Sequence, residues 1–215
     1  MNYTSIIEPK NVFSQAIDHN IHVEREIMDE LVEQTISKVS FNSELQRIKE
    51  FYKCTFEYCD FQNAALVDLT FIDCEFQSCN LSNIKLKGTQ LDHILFQDCK
   101  MLGIQFNECS SFSFHIEAKN SMLDYASFFE RNMKKFKFDQ CSLQHVDFEK
   151  ANLQQVIFKD CDFLLARFEQ CNLEGCDFRT SINIQLDPET NRMKNSKFGS
   201  EQLPGLLAKY QLLID

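Results

Sequence analysis

The chain has 215 residues, 44% of them hydrophobic and 25% charged, with 32 acidic against 22 basic side chains and a formal net charge of −10. That length suits one domain, and the acidic balance argues against direct nucleic-acid binding, which wants clustered Lys and Arg on phosphates. No signal peptide and no apolar run long enough to span a bilayer are read in it, so the expectation is a cytoplasmic protein without membrane contact.

Residues 1–50 read as an N-terminal cap or an irregular first coil. Leu31, Ile36, Phe41 and Phe51 fall on a five-residue spacing that governs the chain further on, and Gln46 interrupts it. Val23, Ile27, Leu31 and Val32 also fit one helix face, so periodicity leaves both readings open, with the capping coil preferred.

From Phe56 the spacing becomes regular: Phe61, Leu66, Phe71, Phe76, Leu81, Leu86, Leu91, Phe96, Met101 and Phe106. A second series, shifted by two, runs Leu123, Phe128, Met133, Phe138, Leu143, Phe148, Leu153, Phe158, Phe163, Phe168, Leu173 and Phe178. Two places before most members sits Cys, Ala, Ser or Thr, so the unit is small-x-large-x-x. Neither the 3.6-residue helical period nor the two-residue strand period gives this pattern. Residues two apart share one face of an extended segment, so the small and large side chains point inward and the other three outward. A unit this short cannot bury its own inward face, and successive units must stack as a solenoid.

The spacing fails between the series, at 107–122. The string Ser110-Ser111-Phe112-Ser113-Phe114-His115-Ile116 reads as a two-residue bulge or a loop, and Ser110, Ser111, Phe112 and His115 are the candidate partner-contact residues. After Ser181 the beat dissolves, which places the repeat body at 51–183 and a cap and dimerisation tail at 184–215. In that tail Leu203, Leu206, Leu207 and Tyr210 share one side of a short helix, with Pro204 in its first turn, and Leu212, Leu213 and Ile214 read as extended. A tail so apolar covers the last coil or meets another copy, and these seven residues are the expected dimer interface.

All ten cysteines lie at the small position of the repeat. Free cysteine packs as a small hydrophobe, and the Cys-x4-Cys spacings match no zinc pattern, so buried free thiols are expected. Chemistry is not found elsewhere. The five glycines form no phosphate-cradling string, and His19, His22, His93, His115 and His145 are far apart. Carboxylates such as Asp160 and Asp162 flank an inward cysteine and face water, and Arg131, Lys134, Lys135 and Lys137 read as a solvated basic patch. The expectation is a non-enzyme without cofactor or metal.

Repeated this often, the motif resembles the pentapeptide repeat family over at least Cys54–Thr180. The resemblance implies an all-β, right-handed quadrilateral parallel β-helix, four quintets to a coil, with a C-terminal capping and dimerising helix. Positions twenty apart then stack, giving columns such as Phe56, Phe76 and Phe96, and about six coils over a rod of roughly 30 Å. Within the family, Ser78-Cys79-Asn80-Leu81-Ser82-Asn83, Asp98-Cys99-Lys100-Met101-Leu102-Gly103, Leu123-Asp124-Tyr125-Ala126-Ser127-Phe128 and the Leu-rich tail are similar to the Qnr-type group, its Gram-positive members especially. That likeness implies a homodimer that presents acidic faces to DNA gyrase or topoisomerase IV in place of DNA and protects the enzyme from quinolones. Nineteen acidic groups in Cys54–Thr180 approach the charge density of duplex DNA, whereas the excess of seven over twelve basic groups does not, so mimicry requires the cations to sit on another face. A structural scaffold binding some other protein is the alternative.

Overall fold

The structure, a computed structural model, describes residues 30–41 and 45–213. Eleven short strands run β1 (Glu30–Val32), β2 (Thr35–Ser37), β3 (Glu50–Tyr52), β4 (Thr55–Glu57), β5 (Thr70–Ile72), β6 (Glu75–Gln77), β7 (Gln90–Asp92), β8 (Ile94–Gln97), β9 (Ile116–Lys119), β10 (Lys137–Asp139) and β11 (Ile157–Lys159). They form two parallel sheets, ordered β1-β3-β5-β7 and β2-β4-β6-β8-β9-β10-β11. Isolated parallel bridges such as Asp60↔Asn80 and Asp147↔Arg167 continue the ladder on the remaining sides. The result is a right-handed quadrilateral β-helix with a short C-terminal helix, α1 (Leu203–Leu206).

Each quintet builds one side of the square. Position one, the small residue, and position three, the large one, point inward, as in Cys74 and Phe76, which are 0% and 2% exposed. Position five turns the corner in the left-handed backbone region, as at Lys53, Tyr58, Asp73 and Lys150. A side chain there costs roughly 1–2 kcal/mol. The corner repays this by lending its N–H to the coil above: Tyr58 donates to the Gln77 carbonyl at 2.9 Å and Lys150 to that of Glu169 at 2.8 Å.

The core is a set of aromatic columns. Rings of Phe51 and Phe71, Phe56 and Phe76, and Phe106 and Phe128 stack with centroids 4.7 Å apart. Neighbouring columns meet edge to face, as Phe148 does with Phe158 at 6.1 Å, so the core combines both favoured aromatic geometries. The ten cysteines are buried free thiols. Most act as more than filler. Cys74 Sγ donates to the Phe51 carbonyl and Cys79 Sγ to that of Phe56, both at 3.3 Å, and Ser181 Oγ serves Phe158 at 3.0 Å. Position one therefore favours a small side chain that donates, because the carbonyl of the large residue one coil below is buried and needs a partner.

The ladder adds rungs at both ends of the 54–180 repeat. β1 and β2 pair in register with β3 and β4, so 30–41 is solenoid; Val23 and Ile27 lie outside the described residues. At the other end Leu173 N–H donates to the Arg192 carbonyl at 2.8 Å, Asp177 bridges Lys197, and Phe178 stacks on Phe198 at 5.1 Å. The coil thus continues past residue 183, because Met193 and Phe198 resume the beat after Asn183 and Pro188 interrupt it. The column that starts at Ile36 and ends at Phe198 has nine rungs, roughly 38 Å at the ordinary strand spacing.

Candidate protein-binding surfaces

The four sides are numbered as the chain meets them, the first wall carrying Phe51 and Phe71, the second Phe56 and Phe76, the third Phe61 and Leu81, the fourth Leu66 and Leu86. Because only positions two, four and five face water, the charge of each wall can be read from its quintets.

The second wall holds seven carboxylates against six cations. Lys137 pairs along the stack with Glu117 at 3.2 Å and Lys159 with Asp139 at 3.1 Å, and Arg179 pairs within its own rung with Asp177 at 2.8 Å. Arg179 holds the Asp177 carboxyl below its ordinary pKa. This wall is electrically neutral on the scale of a partner.

The fourth wall is not. From Glu108 upward its five quintets carry Glu108, Glu130, Asp147, Glu149, Glu169, Asp187 and Glu189 against Lys150 and Arg167. Lys150 reaches Glu130 at 3.4 Å, and Arg167 lies between Glu149 and Glu169. Lys209 of the cap sits 2.7 Å from Asp187 and 2.6 Å from Glu189, holding both carboxyls below their ordinary range. Below Glu108 the same wall turns basic with Lys85 and Lys87. Cations of the upper coils collect instead on the first wall, where Lys134, Lys135, Arg192 and Lys194 face Glu174 alone. Charge is thus segregated by wall in the C-terminal half.

The two inserted residues fall where the acidic strip begins. Corner N–H groups donate nineteen residues ahead up to Asn83, which meets the Leu102 carbonyl at 2.8 Å; Gly88 meets that of Glu108, one residue further, and at Ile94, which pairs Ile116, the ladder spacing is twenty-two. Of the four contact candidates, Phe112 is 75% exposed and Ser111 is exposed, whereas Ser110 and His115 are half-buried. His115 packs against the His93 ring at 4.8 Å and edge-on to Phe136 at 4.9 Å. Burial, then His93, lowers its pKa.

The basic patch expected at Arg131–Lys137 is corrected at its first member. Arg131 is 7% exposed. It stands two before Met133, an inward position, and its guanidinium donates to the carbonyls of Cys109 at 3.0 Å and Ser110 at 2.8 Å while lying 4.0 Å over the Phe114 ring. Arg131 is a clamp on the insert, not a surface cation, and the small-x-large rule already marks its place.

The cap holds onto the last coil through Gln202, which donates to the Ser181 carbonyl at 2.8 Å and receives the Gly199 N–H at 2.6 Å. Gly205 lets α1 lie on the coil: a Cβ there would come within 1.7 Å of the Ile184 carbonyl oxygen. Leu206 packs on the core, while Leu203, Leu207, Tyr210, Leu212 and Leu213 stay exposed, Leu213 at 98%. Tyr210 also donates to Glu189 at 2.9 Å. Ile214 lies outside the described residues.

Among the described residues no group of His, Cys, Asp and Glu is placed to hold a metal, and no helix is long and apolar enough to cross a membrane. Among solved structures, the chain is similar to a trypsin-treated variant of QnrB1, described as a plasmid-mediated fluoroquinolone resistance protein. That match has 20% identity and a TM-score of 0.56 over 86% of this chain and 98% of that one. Full-length QnrB1 matches with 18% identity and a TM-score of 0.50, over 85% and 100%. At these identities the likeness establishes the fold. No curated protein matches the sequence. The family model for the pentapeptide repeat region matches residues 49–128 and 131–206, and with the quintet geometry running through both spans, the chain belongs to the pentapeptide repeat family.

Proposed function

We propose that this protein is a non-enzymatic rod that binds a type II topoisomerase, DNA gyrase or topoisomerase IV, in place of DNA, and protects it from quinolones. The observation that carries this reading is the acidic strip of the fourth wall. Its five rungs span roughly 19 Å. With Lys209 of the cap counted against Asp187 and Glu189, the excess is four negative charges over that length, one per about 5 Å, against one per about 3.4 Å for a single DNA strand and about 1.7 Å for the duplex. Phe112 projects from the insert at the foot of the strip and supplies an apolar contact there, with Ser110, Ser111 and His115 as polar contacts beside it. The exposed tail, Leu203, Leu207, Tyr210, Leu212 and Leu213 with Leu206 and Ile214, joins two copies end to end and lengthens the strip. A cytoplasmic location follows from that target and from ten free thiols.

A supercoiling assay tests this. Micromolar protein is expected to inhibit gyrase or to restore supercoiling in the presence of a quinolone. Neither effect, from a folded dimer, rejects the proposal. The neutral second wall favours the scaffold reading for that face, and affinity capture from a bacterial lysate separates the two: recovery of gyrase subunits supports the topoisomerase reading.

A further inference from the structure

The third wall differs from the other three. Its upper quintets, 121–125, 141–145, 161–165 and 181–185, contain Asp124 and Asp162 but no lysine or arginine. Beside those carboxylates it exposes Met122, Tyr125, Leu164, Leu165 and Ile182. Leu165 is 61% exposed and sits at a corner with φ 58°, the one aliphatic side chain at positive φ among the described residues. Corners elsewhere are mostly polar or glycine, so an exposed leucine there is disfavoured both by solvation and by backbone strain.

Leu164, Leu165 and Ile182 border two hollows. One, about 550 Å³, lies between Leu164, Leu165 and Ile182 on the wall and Pro204 and Gly205 on the cap, with Glu201 at its edge. The other, about 490 Å³, is lined by Ser142, Asp160, Asp162 and Thr180. Ile182 belongs to both, so they run together as one half-open groove. Its apolar side chains, Leu164, Leu165, Ile182, Ile184 and Pro204, gather at the cap end, the other end is mostly polar, and its charged groups, Asp160, Asp162 and Glu201, are all acidic.

We propose that this groove docks an amphipathic segment of another protein that carries apolar side chains on one face and Lys or Arg beside them. Charge complementarity selects that occupant. An anionic membrane surface is repelled by the carboxylates and finds no lysine or arginine in these upper quintets. A second copy's tail is a poor fit: Tyr210-Gln211-Leu212-Leu213-Ile214-Asp215 has no cation, and Lys209 before it is engaged by Asp187 and Glu189. The groove lies on a different wall from the acidic strip and stands or falls separately from topoisomerase binding.

The probe is a fluorescein-labelled Leu/Lys amphipathic peptide of about fourteen residues, read by anisotropy, with a Leu/Glu peptide of the same pattern as control. Micromolar binding of the Leu/Lys peptide alone is expected, weakening as salt is raised. Leu165→Asn combined with Ile182→Ser is expected to weaken it at least tenfold, and Asp162→Asn severalfold. Leu165→Gly, which relieves the corner, keeps the fold and still weakens binding. The proposal is overturned if the double variant binds like the wild type, or if Glu149→Gln with Glu169→Gln on the fourth wall weakens binding equally. It is also overturned if the double variant turns a dimer into a monomer in sedimentation, which assigns the groove to a second copy. Supercoiling assays on the third-wall variants are expected to match wild type, which keeps the two readings distinct.

Discussion

Arg131 shows how one inward position can be reused. Where many quintets place a small donor under the carbonyl of the coil below, this one places a guanidinium that serves two carbonyls of the insert and covers Phe114. Burial lowers its pKa, but an arginine keeps its charge, so the hydrogen bonds are charge-assisted. Arg131→Ala leaves the Cys109 and Ser110 carbonyls without these donors and opens a void, and should cost about 2–3 kcal/mol. Urea denaturation checks the loss, and hydrogen exchange should quicken first in 109–115. The thiols give a second residue-level prediction. Burial pushes Cys171 up to about 11 and Cys109 and Cys176 up to about 12. A thiol raised in the folded state adds no pH dependence below its unfolded pKa, near 8.5. Above that the unfolded chain loses protons that the folded one keeps, so stability should fall progressively from about pH 9 towards about pH 11–12. The urea midpoint measured across that range tests the sign, and at about pH 8 a disulfide-exchange reagent should react only as fast as the protein unfolds.

At the scale of the element, the coil after the insert reverses the size rule. Ile116 occupies the small position and Ala118 the large one, both buried, and Ile116 pairs Ile94, itself a large residue in a small slot. The column Phe76, Phe96, Ala118, Phe138 thus lacks a ring at one rung, and the two isoleucines occupy the interior beside it. Ala118→Phe alone should overpack by about 1–3 kcal/mol. The double change Ile116→Ala, Ala118→Phe restores the ordinary unit and should recover most of that loss, measured by thermal melting. This rung also marks where the sequence stops being legible. Wherever the five-residue beat holds, from Phe56 to Phe106 and from Leu123 to Phe178, a stacked solenoid and its buried thiols follow from spacing, whereas the four-sided coil and its columns are implied by the family resemblance. Ala118 hides the beat because its size is wrong, although its position is right. Asn183 and Pro188 hide it again before Met193 and Phe198, which is why the coil outruns its expected end. The surfaces were less legible for a different reason. Charge along the chain mixes freely, and segregation by wall emerges only when residues twenty apart are stacked, with the offset of two counted after the insert. The apolar third wall escaped notice because its members, Met122, Tyr125, Leu164, Leu165 and Ile182, occupy outward positions that a search for the core passes over.

On the scale of the whole molecule, the solenoid converts composition into direction. A net charge of −10 spread evenly would favour solubility and little else. Stacking instead gives one acidic wall beside a basic one, so the upper half of the rod presents a line of carboxylates at spacings set by the strand ladder rather than by flexible loops. Such a line acts through its field, and its removal need not disturb the fold, because exposed ion pairs of this kind contribute about 0.2–1 kcal/mol each. Glu130→Gln, Glu149→Gln and Glu169→Gln together should leave the melting temperature nearly unchanged. The same triple variant should raise the protein concentration for half-inhibition of gyrase supercoiling about tenfold, as electrostatic steering weakens. The matched control neutralises three carboxylates of the balanced second wall, Glu117→Gln, Asp139→Asn and Asp177→Asn, and should shift that concentration less than twofold. If both sets act equally, net charge rather than the arrangement of the fourth wall governs binding, and DNA mimicry by that strip is excluded.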